Sequence, residues 1–128
     1  MPSNKRKFGD AGENKAAEFL TGSGYKIICR NYRKPWGEID IVAEKDGIIR
    51  FIEVKTSYYF PNPSFTPEIR VDWRKARKLK RICETYLSEH KLLPSQGWQI
   101  DVISVILNED DTVCEINHIK NAVFERQY

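Results

Sequence analysis

The stretch Gly37–Lys55, GEIDIVAEKDGIIRFIEVK, constrains this chain more than any other. Two β-rich runs, Glu38–Ala43 and Ile48–Val54, flank a Lys45-Asp46-Gly47 turn signal. Asp-Gly between such runs predicts a hairpin, because the favoured two-residue turn needs positive φ at both central positions. With Asp46-Gly47 as the loop, Lys45 pairs with Ile48, Asp40 faces Glu53 and Glu38 faces Lys55. Facing side chains share one side of the sheet, with Cβ atoms about 5 Å apart. Glu53 and Lys55 share that side in any register, being two apart on one strand. A three-residue loop with a bulge would shift the register by one and separate Asp40 from Glu53.

Two facing carboxylates repel unless something compensates them. A hard divalent cation does so, and Mg²⁺ binds through one or two carboxylates together with substrate phosphates. Lys55 adds a compact positive charge beside the pair, suited to holding a water or neutralising a phosphoryl group. The same residues also suit an ordinary surface hairpin in which lysine and glutamate form a cross-strand ion pair.

Asp40 with Glu53-Val54-Lys55 resembles the PD-(D/E)XK motif of restriction-endonuclease-like nucleases. Gly12-Glu13, Ala17, Leu20, Gly24-Tyr25, Asn31-Tyr32-Arg33, Gly37 to Asp40, Glu53 to Thr56, Lys75, Tyr86-Leu87 and Asp101-Val102 follow in order and spacing. As a set they are similar to the YraN-like uncharacterised bacterial family, from about Phe8 to Phe124. The resemblance implies the endonuclease-like fold, kinship with archaeal Holliday-junction resolvases, and a Mg²⁺- or Mn²⁺-dependent nuclease. It implies Asp40, Glu53, the Val54 carbonyl and Glu13 around the metal, with Lys55 orienting the attacking water. It also implies DNA as partner and a homodimer. Ile39 replaces the proline of the motif's name, and the segment after Lys55 is longer and more aromatic than the family pattern.

At 128 residues the chain reads as one domain with a real core. A hydrophobic share of 41% and a charged share of 30% are those of a globular protein, and no apolar run is long enough to span a bilayer. The N-terminus has no apolar h-region, so no secretory signal is expected. Cys29, Cys83 and Cys114 are odd in number and set among apolar neighbours, which predicts buried free thiols in a reducing, cytoplasmic setting. Net charge is only +3, so any basic surface has to be local.

Residues 1–8, with Lys5-Arg6-Lys7, read as a flexible arm. A helix is expected from Asp10, as N-cap, to Thr21, stopped by Gly22-Ser23-Gly24. Glu13 lies on its apolar face with Ala16, Ala17 and Leu20, either reaching the site or complementing the helix dipole. Tyr25–Tyr32 is the first strand, and Arg33–Gly37 is a basic loop whose Trp36 either stacks on a base or sugar or caps the core. Residues 57–69 form a Pro/aromatic loop, a lid over the site or a flap on the sheet edge.

A second helix spans Arg70 to His90, with Trp73, Ala76, Leu79, Cys83, Tyr86 and Leu87 as its buried stripe. From Arg70 to Arg81 there are seven cations (Arg70, Arg74, Lys75, Arg77, Lys78, Lys80, Arg81) against the single acid Asp72. Solubility alone would be served as well by acids, so the bias points to phosphate contact. Strands follow at Trp98–Ile106, with Asp101 either structural or a distal metal ligand, and at Val113–Ile119, with a structural His118. The expected fold is α/β in the order αβββαββ, a central mixed sheet flanked by two main helices.

Overall fold

The computed structural model describes residues 4–59, 73–92 and 94–122. The chain runs α1 (Asn4–Gly22), β1 (Lys26–Lys34), β2 (Gly37–Lys45), β3 (Ile48–Tyr58), α2 (Trp73–Glu89), β4 (Trp98–Leu107) and β5 (Val113–Ile119). The strands form one five-stranded sheet in sequence order. β3 and β4 are parallel, and the other neighbours are antiparallel. A parallel pair needs a crossover connection, and α2 lies within it.

The sheet separates two cores. On one face Ala16 and Leu20 of α1, with Tyr25, pack on Ile41, Ala43, Ile52, Ile103, Val105 and Leu107. On the other, Leu79, Ile82, Cys83 and Tyr86 of α2 pack on Ile39, Val42, Ile49, Phe51 and Ile100. β3 and β4 carry apolar residues toward both helices, hence their nearly continuous hydrophobic runs.

α1 starts at Asn4 rather than at Asp10, so the Lys5-Arg6-Lys7 backbone is helical and not a free arm. Lysine and arginine favour a helix, so nothing in those residues stops it. A Cβ on Gly12 would lie 1.9 Å from Thr56 Oγ1, so α1 meets β3 at a distance only glycine allows. The helix closes with the Gly24 N–H donating to Thr21 O at 3.2 Å and the Tyr25 N–H to Leu20 O at 2.9 Å. Gly24, at φ +88, supplies the left-handed residue this closure needs.

Several expected boundaries shift. Arg33 and Lys34 belong to β1, and Lys34 pairs with Gly37, so Pro35-Trp36 is a tight turn rather than part of a loop. Ser57 and Tyr58 complete β3 opposite Ile106 and Leu107. The remainder of the 57–69 loop beyond Tyr59, together with Arg70 and the Trp73 side chain, lies outside the described residues. Ile82, absent from the expected stripe, is among the most buried residues of α2. Cys83 is buried and Cys29 half-buried, but Cys114 is exposed on the edge strand β5; all three are free thiols. Among the described residues no helix is long and apolar enough to cross a membrane.

Candidate functional site

The hairpin adopts the register that a two-residue turn requires. Lys45 pairs with Ile48, and the ladder continues to Ile41 and Ile52. Asp46 and Gly47 take φ values of 55 and 75. Beyond Ile41–Ile52 the two strands part. Asp40 and Glu53, expected to form the next facing pair, stand instead at the mouth of this fork. The Val54 N–H, which has no β2 backbone partner there, donates to Asp40 Oδ2 at 2.8 Å.

The fork begins where the alternation of β2 breaks. Ile41 and Ala43 pack toward α1, whereas both Ile39 and Val42 pack toward α2. On the other side of β2, Asn31 stands opposite Asp40, between the pairs Arg30–Ile41 and Tyr32–Ile39. Asn31 has φ 56, a left-handed conformation that asparagine tolerates better than most residues. The sheet is therefore irregular on both flanks of Asp40. Glu38, expected opposite Lys55, is instead the partner of Arg33 on β1, with Arg33 Nε 3.0 Å from its Oε2.

Glu13 is buried at 7% exposure on the sheet side of α1. Its Oε1 accepts from Arg30 Nε at 2.9 Å and from Asn31 Nδ2 at 3.2 Å. It approaches the site through these two β1 residues, of which Asn31 is a motif position and Arg30 is not. Glu53 is held by Lys75 of α2, whose Nζ contacts Oε1. Glu53 Oε2 is buried without a hydrogen-bond partner among the described residues. Lys55 is half-buried beside Ser104 of β4, on the same face of β3 as Glu53.

Burial pushes the Asp40 carboxyl up from 3.8 to about 6; the Val54 amide opposes the shift, and the charges of Glu13, Glu38 and Glu53 add to it. The carboxylates therefore sense one another. Among the described residues, however, no group of three or more His, Cys, Asp or Glu side chains is placed to hold a metal ion. Mg²⁺ makes a smaller demand, one or two carboxylates with water and phosphate completing its shell. Asp40 and Glu53 fit that demand, because a buried oxygen lacks a partner and a neighbouring charge is disfavoured. The N–H and C=O of an extended residue face the same side, so the Val54 carbonyl also opens toward the fork.

Arg74, Lys75, Arg77, Lys78 and Arg81 are all placed on α2, where Arg74, Arg77 and Arg81 are exposed and the chain's cations crowd one helix. Lys75 thus joins the cationic helix to the fork. At the other end of this run, the Arg81 guanidinium lies 5.0 Å above the centre of the Trp36 ring.

Asp101 and His118 form a separate arrangement on the α1 side. The fully buried Asp101 accepts from Gln99 Nε2 and from the Asn121 N–H, and lies against His118 Nε2, each at 2.8 Å. Burial raises its carboxyl, but these hydrogen bonds and the His118 charge together bring it below the ordinary value. His118 also packs against the rings of Phe19 and Tyr25. This network ties β4 to β5, in keeping with structural roles for both residues.

A model of the uncharacterised protein family UPF0102 matches residues 12–105. The UPF0102 protein of Caldicellulosiruptor saccharolyticus is 41% identical over 121 residues, 93% of this chain and 98% of the relative. That of Moorella thermoacetica is 41% identical over 123 residues, 95% of this chain and 99% of its own. That of Persephonella marina is 39% identical over 124 residues, 94% and 95% of the two chains. The motifs of the first helix, the fork and β4 lie inside the matched region, and the chain belongs to the UPF0102 family, the YraN-like family that its motifs resemble.

Proposed function

We propose that this protein is a Mg²⁺- or Mn²⁺-dependent endonuclease of the restriction-endonuclease-like class, cutting DNA phosphodiester bonds, with branched or recombining DNA as the candidate substrate. The observation that carries the reading is the fork: Asp40 and Glu53 flank it, and among the described residues one buried oxygen of Glu53 has no partner. Asp40, Glu53 and the Val54 carbonyl would hold the cation, with Glu13 behind them. The cation would supply Lewis acidity and neutralise phosphate charge. Lys55, on the face of β3 that carries Glu53, would orient the attacking water. Lys75 and the arginines and lysines of α2 would hold the flanking phosphates. The free thiols suit a reducing cytoplasm. A homodimer is implied only by the likeness to the resolvases.

A second reading is favoured by one observation. Lys75 already contacts Glu53, and Arg30 already holds Glu13, so cations of the chain occupy two of the proposed carboxylates. A nucleic-acid-binding accessory protein that does not cut would have such a site. Cleavage assays on branched, flapped and linear DNA with Mg²⁺ or Mn²⁺ separate the two. The endonuclease reading expects cutting by the wild type. It expects loss of cutting but retained binding in Asp40→Asn, Glu53→Gln and Lys55→Ala. A wild type that binds all three DNAs and cuts none leaves the accessory reading.

A further inference from the structure

Trp36 sits in the Pro35-Trp36 turn and keeps 39% of its surface exposed. A turn residue of this size could have folded onto the core, where a Cβ on the adjacent Gly37 would already touch Ile82. Trp36 lies instead under the Arg81 guanidinium, at 5.0 Å from ring centre to guanidinium carbon. Arg81 is the last cation of the run Arg74, Lys75, Arg77, Lys78, Lys80, Arg81. Residues 74, 78 and 81 fall on one helical face, and from Lys75 at the fork to Arg81 the helix rises ~9 Å. That span is about two to three nucleotide steps at 3.4 Å each.

Phosphate contacts need only cations and are indifferent to base pairing. An exposed indole at the end of such a run adds what a phosphate cannot use, a flat apolar ring with a guanidinium plane over it. Unpaired bases stack on such surfaces, and bases within a duplex are already stacked on each other. We infer that Trp36 and Arg81 form a stacking platform for an unpaired nucleobase, so that the substrate class is nucleic acid with a single-stranded segment two to three nucleotides from the fork. This rests on the nucleic-acid-binding reading of α2 but not on cleavage.

The test measures binding of a fluorescent single-stranded oligothymidylate and of a blunt duplex of equal length, without divalent cation. Wild type should bind both, and Trp36→Ala should lose affinity for the single strand about tenfold more than for the duplex. Trp36→Phe, which keeps a flat ring, should recover most of that selective loss, and melting curves should show both variants folded. Trp36 emission should also be quenched by the oligothymidylate in a protein whose Trp73 and Trp98 are replaced by phenylalanine. Equal losses on both DNAs, or no loss on either, overturn the platform and leave the cationic helix intact as a binding surface. Wild type that binds neither DNA overturns the platform together with the reading beneath it.

Discussion

At Asp40 the folded carboxyl holds its proton up to about pH 6, against an ordinary value of 3.8. The protonated form is the one the fold prefers. Its contribution to stability is complete below about pH 4 and is lost as the pH rises through about 6. Asn at this position keeps an acceptor for the Val54 N–H and removes the charge. Asp40→Asn should therefore be more stable than wild type at pH 8 by about 3 kcal/mol and gain little at pH 4, measured by urea unfolding at both values. If Mg²⁺ binds at the fork, it should raise the melting temperature of the wild type and not that of the variant. Asp101 has the opposite sign, since its lowered value stabilises the fold above the unfolded pKa and fails in acid. The approach of Asp40 and Glu53 is legible in the sequence because the Asp-Gly turn fixes the register as far as Ile41–Ile52, but the facing pair that this register predicts gives way to the fork. Arg30 is not legible, and Asn31, although a motif position, gives no sign of its bond to Glu13, since both contacts follow from where α1 crosses the sheet. The one local sign is an asparagine, a residue that tolerates positive φ, within a β-rich run.

Among the elements, the packing of α1 on β3 turns on one atom. Gly12→Ala places a methyl group against Thr56 at 1.9 Å from Oγ1 and 2.7 Å from Cβ. The helix must move, and since it carries Glu13, the hydrogen bonds of Glu13 with Arg30 and Asn31 must loosen with it. The expected cost is about 1–3 kcal/mol of stability, partly recovered by adding Thr56→Ala, which removes the hydroxyl and one methyl but leaves Cβ. Chemical unfolding of the two single variants and the double variant checks this, and an unperturbed Gly12→Ala would contradict the close approach. The hairpin, both helices and the last two strands can be read from turn residues and apolar spacing. The ends are harder. Asn4 precedes a stretch that carries charge without apolar period, so the first turn of α1 gives no signal. Pro35-Trp36 resembles a loop because Arg33 and Lys34 are polar, although the ladder with β2 holds them in a strand. Ile82 escapes a narrow stripe because it lies next to Cys83, yet a stripe wide enough to cover a sheet takes both.

For the whole molecule, a net charge of +3 conceals a sharp asymmetry. Replacing Arg74, Arg77 and Lys78 by glutamine should weaken DNA binding irrespective of sequence. It should also flatten the plot of log affinity against log salt by about 0.9 for each phosphate no longer neutralised. Unchanged affinity and slope would make this face a solubility surface only. The order αβββαββ and the family can be read from the sequence, because turn signals and motif spacing survive without coordinates. The fork cannot, because it arises where β2 turns Ile39 toward α2 while β3 runs straight on beside β4. That divergence gives the central strand two unlike halves. From Ile49 to Ile52, β3 is paired on both sides, and both cores bear on it. From Glu53 to Tyr58 its one ladder among the described residues is that with β4. Substitutions in the first half are constrained by two strands and two helices. Changes in the second half meet one neighbouring strand among the described residues, and at Thr56 also α1. The two halves of one strand thus serve different ends: one binds the sheet together, and the other carries Glu53 and Lys55 past the fork.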